Sequence, residues 1–176
     1  MGTARESAPV TPMLGLLFSA EAVATDALAR VGAVLGAPQL TSETWPFTDT
    51  DYYTPEMGSG LVRRFFAFAL PADPGQLPGW KLATNAIEAE FARGGRRVIN
   101  LDPGYVDGSK LVLASTKNLA HRVYLRDGIY AEVTMTFRRG EWVKRDYTFA
   151  DFSSGRYDTF FSRAREIHLA RTQAAT

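Results

Sequence analysis

Between Arg96 and Phe137 the chain sets Asn100, Lys110, Ser115, Lys117, His121, Arg122, Tyr130 and Glu132 among strand-like apolar runs. A strand used only for packing has little use for so many acids, bases and amides, because each buried polar group must find a partner. The stretch therefore reads as one wall of a site for something anionic. His121 is one of two histidines, and imidazole is the side chain whose ordinary titration falls nearest neutral pH. That makes it the candidate proton carrier, with Glu132 as the second catalytic candidate. A mid-strand Glu is disfavoured unless it is exposed or paired. Lys117 and Arg122 would neutralise phosphate, and Asn100 and Tyr130 would contact the ligand. Strict strand alternation would separate His121 from Arg122, so one pocket takes both only if the strand bulges.

Two other segments carry residues suited to the same ligand. Lys81, Asn85 and Glu88 recur at spacings of four and three, which places them on one helix face. A lysine beside an amide and a carboxylate could grip a phosphate together with a sugar or base edge. The loop Asp49-Thr50-Asp51, with Glu56 nearby, offers oxygen ligands of the kind that hold Mg2+ or Mn2+ against phosphate. Each group also has a plain structural reading: a solvated helix flank, a solvated sheet face, or acids that cap turns. Asp102 and Gly104 fall where a turn is expected to leave the strand, and they carry little functional weight.

Several chemistries are excluded. The 176 residues contain no cysteine, which removes disulfides, thiol catalysis and cysteine-ligated metals. No phosphate loop, dinucleotide fingerprint, nucleophile elbow or zinc-protease helix motif occurs. The net charge of +1 argues against a protein that coats polyanions, but its distribution is uneven. Residues 1–92 hold 5 Lys/Arg against 10 Asp/Glu, and residues 93–145 hold 11 against 5. That asymmetry fits a polarised surface or a mixed-charge cleft. No apolar run approaches the roughly 20 residues of a membrane span, and the N-terminus lacks a secretory core. A cytoplasmic protein without a membrane partner is expected.

The elements that must position these groups follow from periodicity. Met13 to Phe18 is a continuous apolar run suited to a buried strand. Ser19 is placed to cap a helix from Ala20 that ends at Gly36 and Pro38 and buries Val23, Ala27, Val31, Val34 and Leu35. A strand over Gln39 to Phe47, a loop over Thr48 to Gly60 and a strand over Leu61 to Leu70 come next. A second helix, about Gln76 to Arg93, carries the apolar stripe Leu77, Trp80, Thr84, Ile87 and Phe91. Arg96 to Leu101, Leu111 to Ser115, His121 to Leu125, Ile129 to Arg138 and Glu141 to Phe149 are further strands. Tight turns at Asp127-Gly128 and Arg139-Gly140 join the later ones. In Ile129 to Arg138, alternation sends Ile129, Ala131, Val133, Met135 and Phe137 to one face. A last helix runs over about 155–170.

The order predicts an α+β fold: a ferredoxin-like βαββαβ core, an antiparallel sheet with helices on one face, extended by extra strands and a C-terminal helix. The chain reads as a single domain over 1–176, with 1–11 and 171–176 loose. Arg64, Phe66, Ala67 and Phe68 occupy the base-stacking positions of an RNA-recognition motif's third strand, but Phe65 replaces its glycine. Core packing explains the run more simply.

Four segments taken together resemble a bacterial family, domain of unknown function 4416, over nearly the whole chain. They are FTDTDYYTPEMGSGL (Phe47 to Leu61), KLATNAIE (Lys81 to Glu88), Arg96 to Leu125, and GIYAEVTMTF (Gly128 to Phe137). YTFADF (Tyr147 to Phe152) is similar to a further segment in which the family has Trp at the place of Tyr147. The resemblance implies membership and a bias towards nucleotide or RNA ligands, and it assigns no residue role. The expectation is a protein that binds a phosphate-bearing ligand, nucleotide or RNA, in a cleft, with metal-assisted phosphoryl transfer or phosphodiester hydrolysis as its catalytic version. The competing expectations are a non-catalytic binding module and a homo-oligomeric scaffold.

Overall fold

In the computed structural model, which describes residues 2–174, the first apolar run forms β1 (Thr11–Phe18), with all eight residues buried. A strand with no solvated face needs cover on both sides. It pairs antiparallel with β4 (Val62–Phe68) on one edge and β5 (Ile99–Val106) on the other. Among the described residues one nine-stranded antiparallel sheet is completed by β2 (Pro38–Thr41), β3 (Trp45–Pro46), β6 (Lys110–Ser115), β7 (Val123–Arg126), β8 (Ile129–Arg138) and β9 (Glu141–Lys144). The order is β2-β4-β1-β5-β6-β8-β7, with β3 against β4 and β9 against β8.

Helices lie on both faces, not one. Helix α1 (Glu21–Leu35) and α3 (Leu77–Phe91) bury Ala27, Val31, Leu77, Trp80 and Ile87 against Leu14, Leu16, Phe66, Phe68 and Leu101. On the opposite face, Phe160, Phe161 and Ala164 of α5 (Asp158–Ala174) pack with Met13, Phe65, Ala67 and Leu113. Phe65 is the hub there, with the rings of Tyr157, Phe161, Phe152 and Phe160 at 4.7, 5.1, 5.6 and 5.7 Å. The odd-numbered residues of β4 require this second cover, because Phe65 and Ala67 are as apolar as Phe66 and Phe68. Phe66 and Phe68 are buried beneath the helices, and Arg64 is paired with Glu21 at 2.6 Å, so no base-stacking platform is exposed. Two one-turn helices, α2 (Thr54–Met57) and α4 (Ala150–Ser153), interrupt the loops.

Several local expectations are corrected. Ser19 does not cap α1: Ala20 is the N-cap, without a side-chain bond; Ala24 is buried, and Val34, expected to be, is exposed. The segment 39–47 splits into β2 and β3, and β9 stops at Lys144. Asp102, Pro103 and Gly104 do not turn: β5 runs straight through them. Pro103 is tolerated because β5 pairs β6 only from Gly104 onwards, so its missing donor falls where that ladder ends. Gly104 is obligatory for another reason, since a Cβ there would stand 2.3 Å from the Val112 carbonyl oxygen.

In β8 the pairing with β6 shifts between Val133 and Met135. The bulge moves Met135 and Phe137 to the α5 face, while Ile129, Ala131 and Val133 pack towards α1 and α3. Asp127-Gly128 and Arg139-Gly140 have positive φ at both positions, as the tight hairpin turns require. Order begins and ends inside the segments expected to be loose: Val10 bridges Ala72, Thr11 is in β1, and α5 reaches Ala174. Residues 1, 175 and 176 lie outside the described residues. No helix among the described residues is long and apolar enough to cross a membrane.

Candidate functional site

The α5 face of the sheet is apolar at one end and polar at the other. Strand parity places Arg63 of β4 and Asn100 and Asp102 of β5 on the same face as Phe65. Gly15 of β1 stands between Phe65 and Asp102, and its lack of a side chain leaves room for the Arg63 guanidinium, 3.3 Å from where a Cβ would be. Arg63, Asn100 and Asp102 floor a cavity of about 400 Å³. Arg63, Lys81, Arg97, Lys117 and Arg122 line it together with Asp49, Asp102, Glu132 and Asp151.

Asp102, given little weight from its sequence context, is the junction of the floor. It receives Asn100 Nδ2 at 2.7 Å, with Arg63 Nη1 and Lys81 Nζ each at 3.4 Å. Burial alone pushes this carboxyl up, but the Lys81 and Arg63 charges and the hydrogen bonds from Lys81 and Asn100 hold it below the usual range. Arg63 is 4% exposed and also reaches Asp151 at 3.5 Å, while its guanidinium lies over Phe47 at 5.0 Å. Its Nε is buried without a hydrogen-bond partner among the described residues. Burial raises Asp151, against the opposing charge of Arg63.

Helix α3 enters the floor through the splay between β5 and β6. Lys81 and Glu88 are buried, so the polar line expected on this helix is not a solvated flank. Lys81 Nζ donates to the Leu101 carbonyl at 2.8 Å, and the Leu101 amide donates to Glu88 Oε1 at 2.6 Å. The two side chains thus take the backbone groups of β5 that β6 leaves unpaired. Burial raises the Glu88 carboxyl, with Lys81 pulling the other way. Asn85 is half-buried and does not line the cavity. Arg97 joins the floor by donating to Asn100 Oδ1 at 2.9 Å and pairing with Glu56 at 2.6 Å and Glu88 at 3.7 Å.

The second wall comes from β6, β8 and the loop between β6 and β7. His121 precedes β7, so strand alternation does not apply to it, and both it and Arg122 converge on Glu132. Arg122 Nε donates to Glu132 Oε2 at 2.8 Å, and His121 Nε2 lies 3.1 Å from the same oxygen. Thr134 donates to Oε1 at 3.2 Å. The His121 ring stacks on Tyr147, 4.2 Å away and nearly parallel. Glu132 and Arg122 line the cavity, whereas His121 stands behind Glu132 and outside the lining. Tyr130 pairs with Tyr124 at 5.4 Å, also outside it.

The rim carries two aromatic rings and a leucine. Tyr52, Leu119 and Phe149 line the cavity while remaining 58%, 45% and 46% exposed. Lys117 crosses from the opposite loop, donating to the Tyr52 hydroxyl with its ammonium 4.2 Å from the Tyr52 ring centre. It has no carboxylate partner among the described residues. The carboxylates expected to hold a metal do not gather: Asp49 is paired with Arg156, and Asp51 is exposed and not in the lining. Among the described residues no three acids or histidines stand close enough to hold an ion. The second histidine, His168, is buried at the far end of the molecule, 3.4 Å from the Thr11 hydroxyl.

Lys81, Asn100, Lys117, Arg122, Glu132 and Asp49 therefore share one cavity, while His121 and Glu88 support its walls. Arg63, Arg97, Asp102 and Asp151 were missed. Arg63 carried a signal: it has the strand parity of Phe65 and Ala67, so a cation was due on a buried face. The family model described as domain of unknown function (DUF4416) matches residues 8–168, nearly the whole chain. No curated protein and no solved structure matches.

Proposed function

The chain belongs to the family described as domain of unknown function (DUF4416), and we propose that its cavity binds a small phosphate-bearing ligand, with a nucleotide as the first choice. The observation that carries this is Lys117. Arg63, Lys81, Arg97 and Arg122 are each matched by a carboxylate, and among the described residues the Lys117 ammonium at the rim meets a tyrosine hydroxyl and no acid. An anion arriving there gives the ammonium a charged acceptor in place of a hydroxyl. At about 400 Å³ the space suits a small molecule, so an RNA would present one end or one unstacked base. The antiparallel run β2-β4-β1-β5 with α1 and α3 on one face supports reading this part as a ferredoxin-like core to which the β6–β9 wall has been added.

The test is calorimetric titration with nucleoside phosphates and a short oligoribonucleotide, with and without Mg2+ or Mn2+ and with a chelator. Saturable binding of a nucleotide that weakens in Lys117→Met supports the reading. No binding of any phosphate-bearing compound sinks it. The His121–Glu132 contact favours a catalytic version in which Glu132 faces the ligand and His121, behind it, moves a proton through that carboxylate during phosphoryl transfer or phosphodiester hydrolysis. Product release by the wild type that is lost in His121→Ala would support it. Binding without turnover leaves a non-catalytic nucleotide-binding module.

A further inference from the structure

The cavity distinguishes two ends of its ligand, and we propose that it takes a nucleoside phosphate with the base inside and the phosphate at the rim. This rests on the nucleotide reading above and adds an orientation and a division of labour. The floor is polar but balanced in charge: Arg63 and Lys81 face Asp102 and Asp151 within 3.5 Å. A phosphate placed there would be desolvated beside two carboxylates for little gain in attraction. A neutral ring with donors and acceptors on its edge suits the same floor, because it can bond to both signs without bringing charge.

The walls add shape. Phe47, Leu113 and Phe152 line the inner part and are buried, so they offer apolar faces to a flat ring. The exposed rings of Tyr52 and Phe149 stand where a linker or sugar would leave the cavity. Lys117 stands beside Tyr52 with its charge unmatched by any acid among the described residues. An anionic group attached to the buried ring is thus met where the solvent begins. The floor residues recognise the base, and Lys117 contributes the preference for its phosphorylated form.

The experiment is calorimetry on the full chain with four probes: a panel of purine and pyrimidine nucleosides, their 5′-monophosphates, inorganic phosphate and tripolyphosphate. Base-inside binding is supported if one nucleoside binds on its own, its monophosphate binds about tenfold more tightly, and both inorganic anions fail to bind or compete. Lys117→Met should then bring the monophosphate down to the nucleoside's affinity. Arg63→Lys, which keeps the charge but loses the planar guanidinium of the floor, should weaken nucleoside and monophosphate alike. The orientation is overturned if tripolyphosphate or phosphate competes with the nucleotide while the bare nucleoside does not bind. It is equally overturned if Lys117→Met weakens the nucleoside as much as the monophosphate. In both of those outcomes the phosphate-ligand reading survives. If none of the four probes binds, that reading fails together with the orientation.

Discussion

Lys81 and Glu88, seven residues apart on α3, hold the two backbone groups of a single β5 residue. The ammonium takes the Leu101 carbonyl at 2.8 Å, and the carboxylate takes the Leu101 amide at 2.6 Å. A helix thereby does for β5 what the next strand would have done. The splay this permits between β5 and β6 opens the cavity floor.

Lys81→Met tests that relationship. It removes the donor to Leu101 and one of the two cations on Asp102, whose carboxylate stays in place. Breaking a buried ion pair costs about 3–5 kcal/mol, and the partial compensation by Arg63 puts the expected loss towards the lower end. Urea denaturation followed by tryptophan fluorescence reads it; a loss below about 1 kcal/mol would mean that the contact contributes little to folding.

Glu88 carries a pH prediction. Burial raises its folded-state carboxyl above the ordinary 4.5, so the folded state prefers the protonated form. Wild type therefore loses stability as pH rises from the unfolded value through the raised folded value. Glu88→Gln keeps an acceptor for the Leu101 amide and cannot titrate. Its stability relative to wild type should be most favourable at neutral pH and fall as pH drops towards 4.5. A difference that is flat with pH would contradict the assignment. Asp102 works in the opposite direction: its lowered folded value adds stability above the ordinary 3.8 that is lost on further acidification.

Glu132 should be far more costly to remove than His121. The Arg122 side chain is only 4% exposed, and Glu132 is its one carboxylate partner among the described residues. Glu132→Ala strands that charge and should cost about 3–5 kcal/mol. His121→Ala, at a side chain 22% exposed, removes one contact to Glu132 and the stacking on Tyr147 and should cost about 1 kcal/mol. Thermal unfolding of the two variants ranks them, and equal losses would refute the asymmetry.

Gly104→Ala should destabilise the sheet by about 1–3 kcal/mol or more, because β5 and β6 would have to move apart at their first paired residues. Gly108→Ala is a control, since its Cβ would meet only the Leu169 side chain, at 3.3 Å. Comparable melting temperatures for the two variants would count against a close backbone approach at Gly104.

Much of the secondary structure was legible because its causes are local. The stripe of α3, the apolar run of β1 and the two glycine turns depend on neighbours in sequence. Part of the site was legible too: Lys81, Asn100, Lys117, Arg122, Glu132 and Asp49 share a cavity. The misses have specific causes. Asp102-Pro103-Gly104 carries turn chemistry, yet each residue meets its own tertiary circumstance inside β5. Met135 changed faces because one extra residue in a strand reverses all later parity.

By itself the sequence determined a cysteine-free α+β chain with a two-sided apolar first strand and a charge-rich second half. Composition and short-range periodicity are enough for that. Only the tertiary structure decided which charges meet. Arg63 and Asp102 are 39 residues apart in sequence, and Lys117 and Tyr52 are 65 apart. Their contacts follow from strand register, the bulge in β8 and the missing side chain of Gly15. Those features arise when distant segments pair, and no local pattern encodes their outcome.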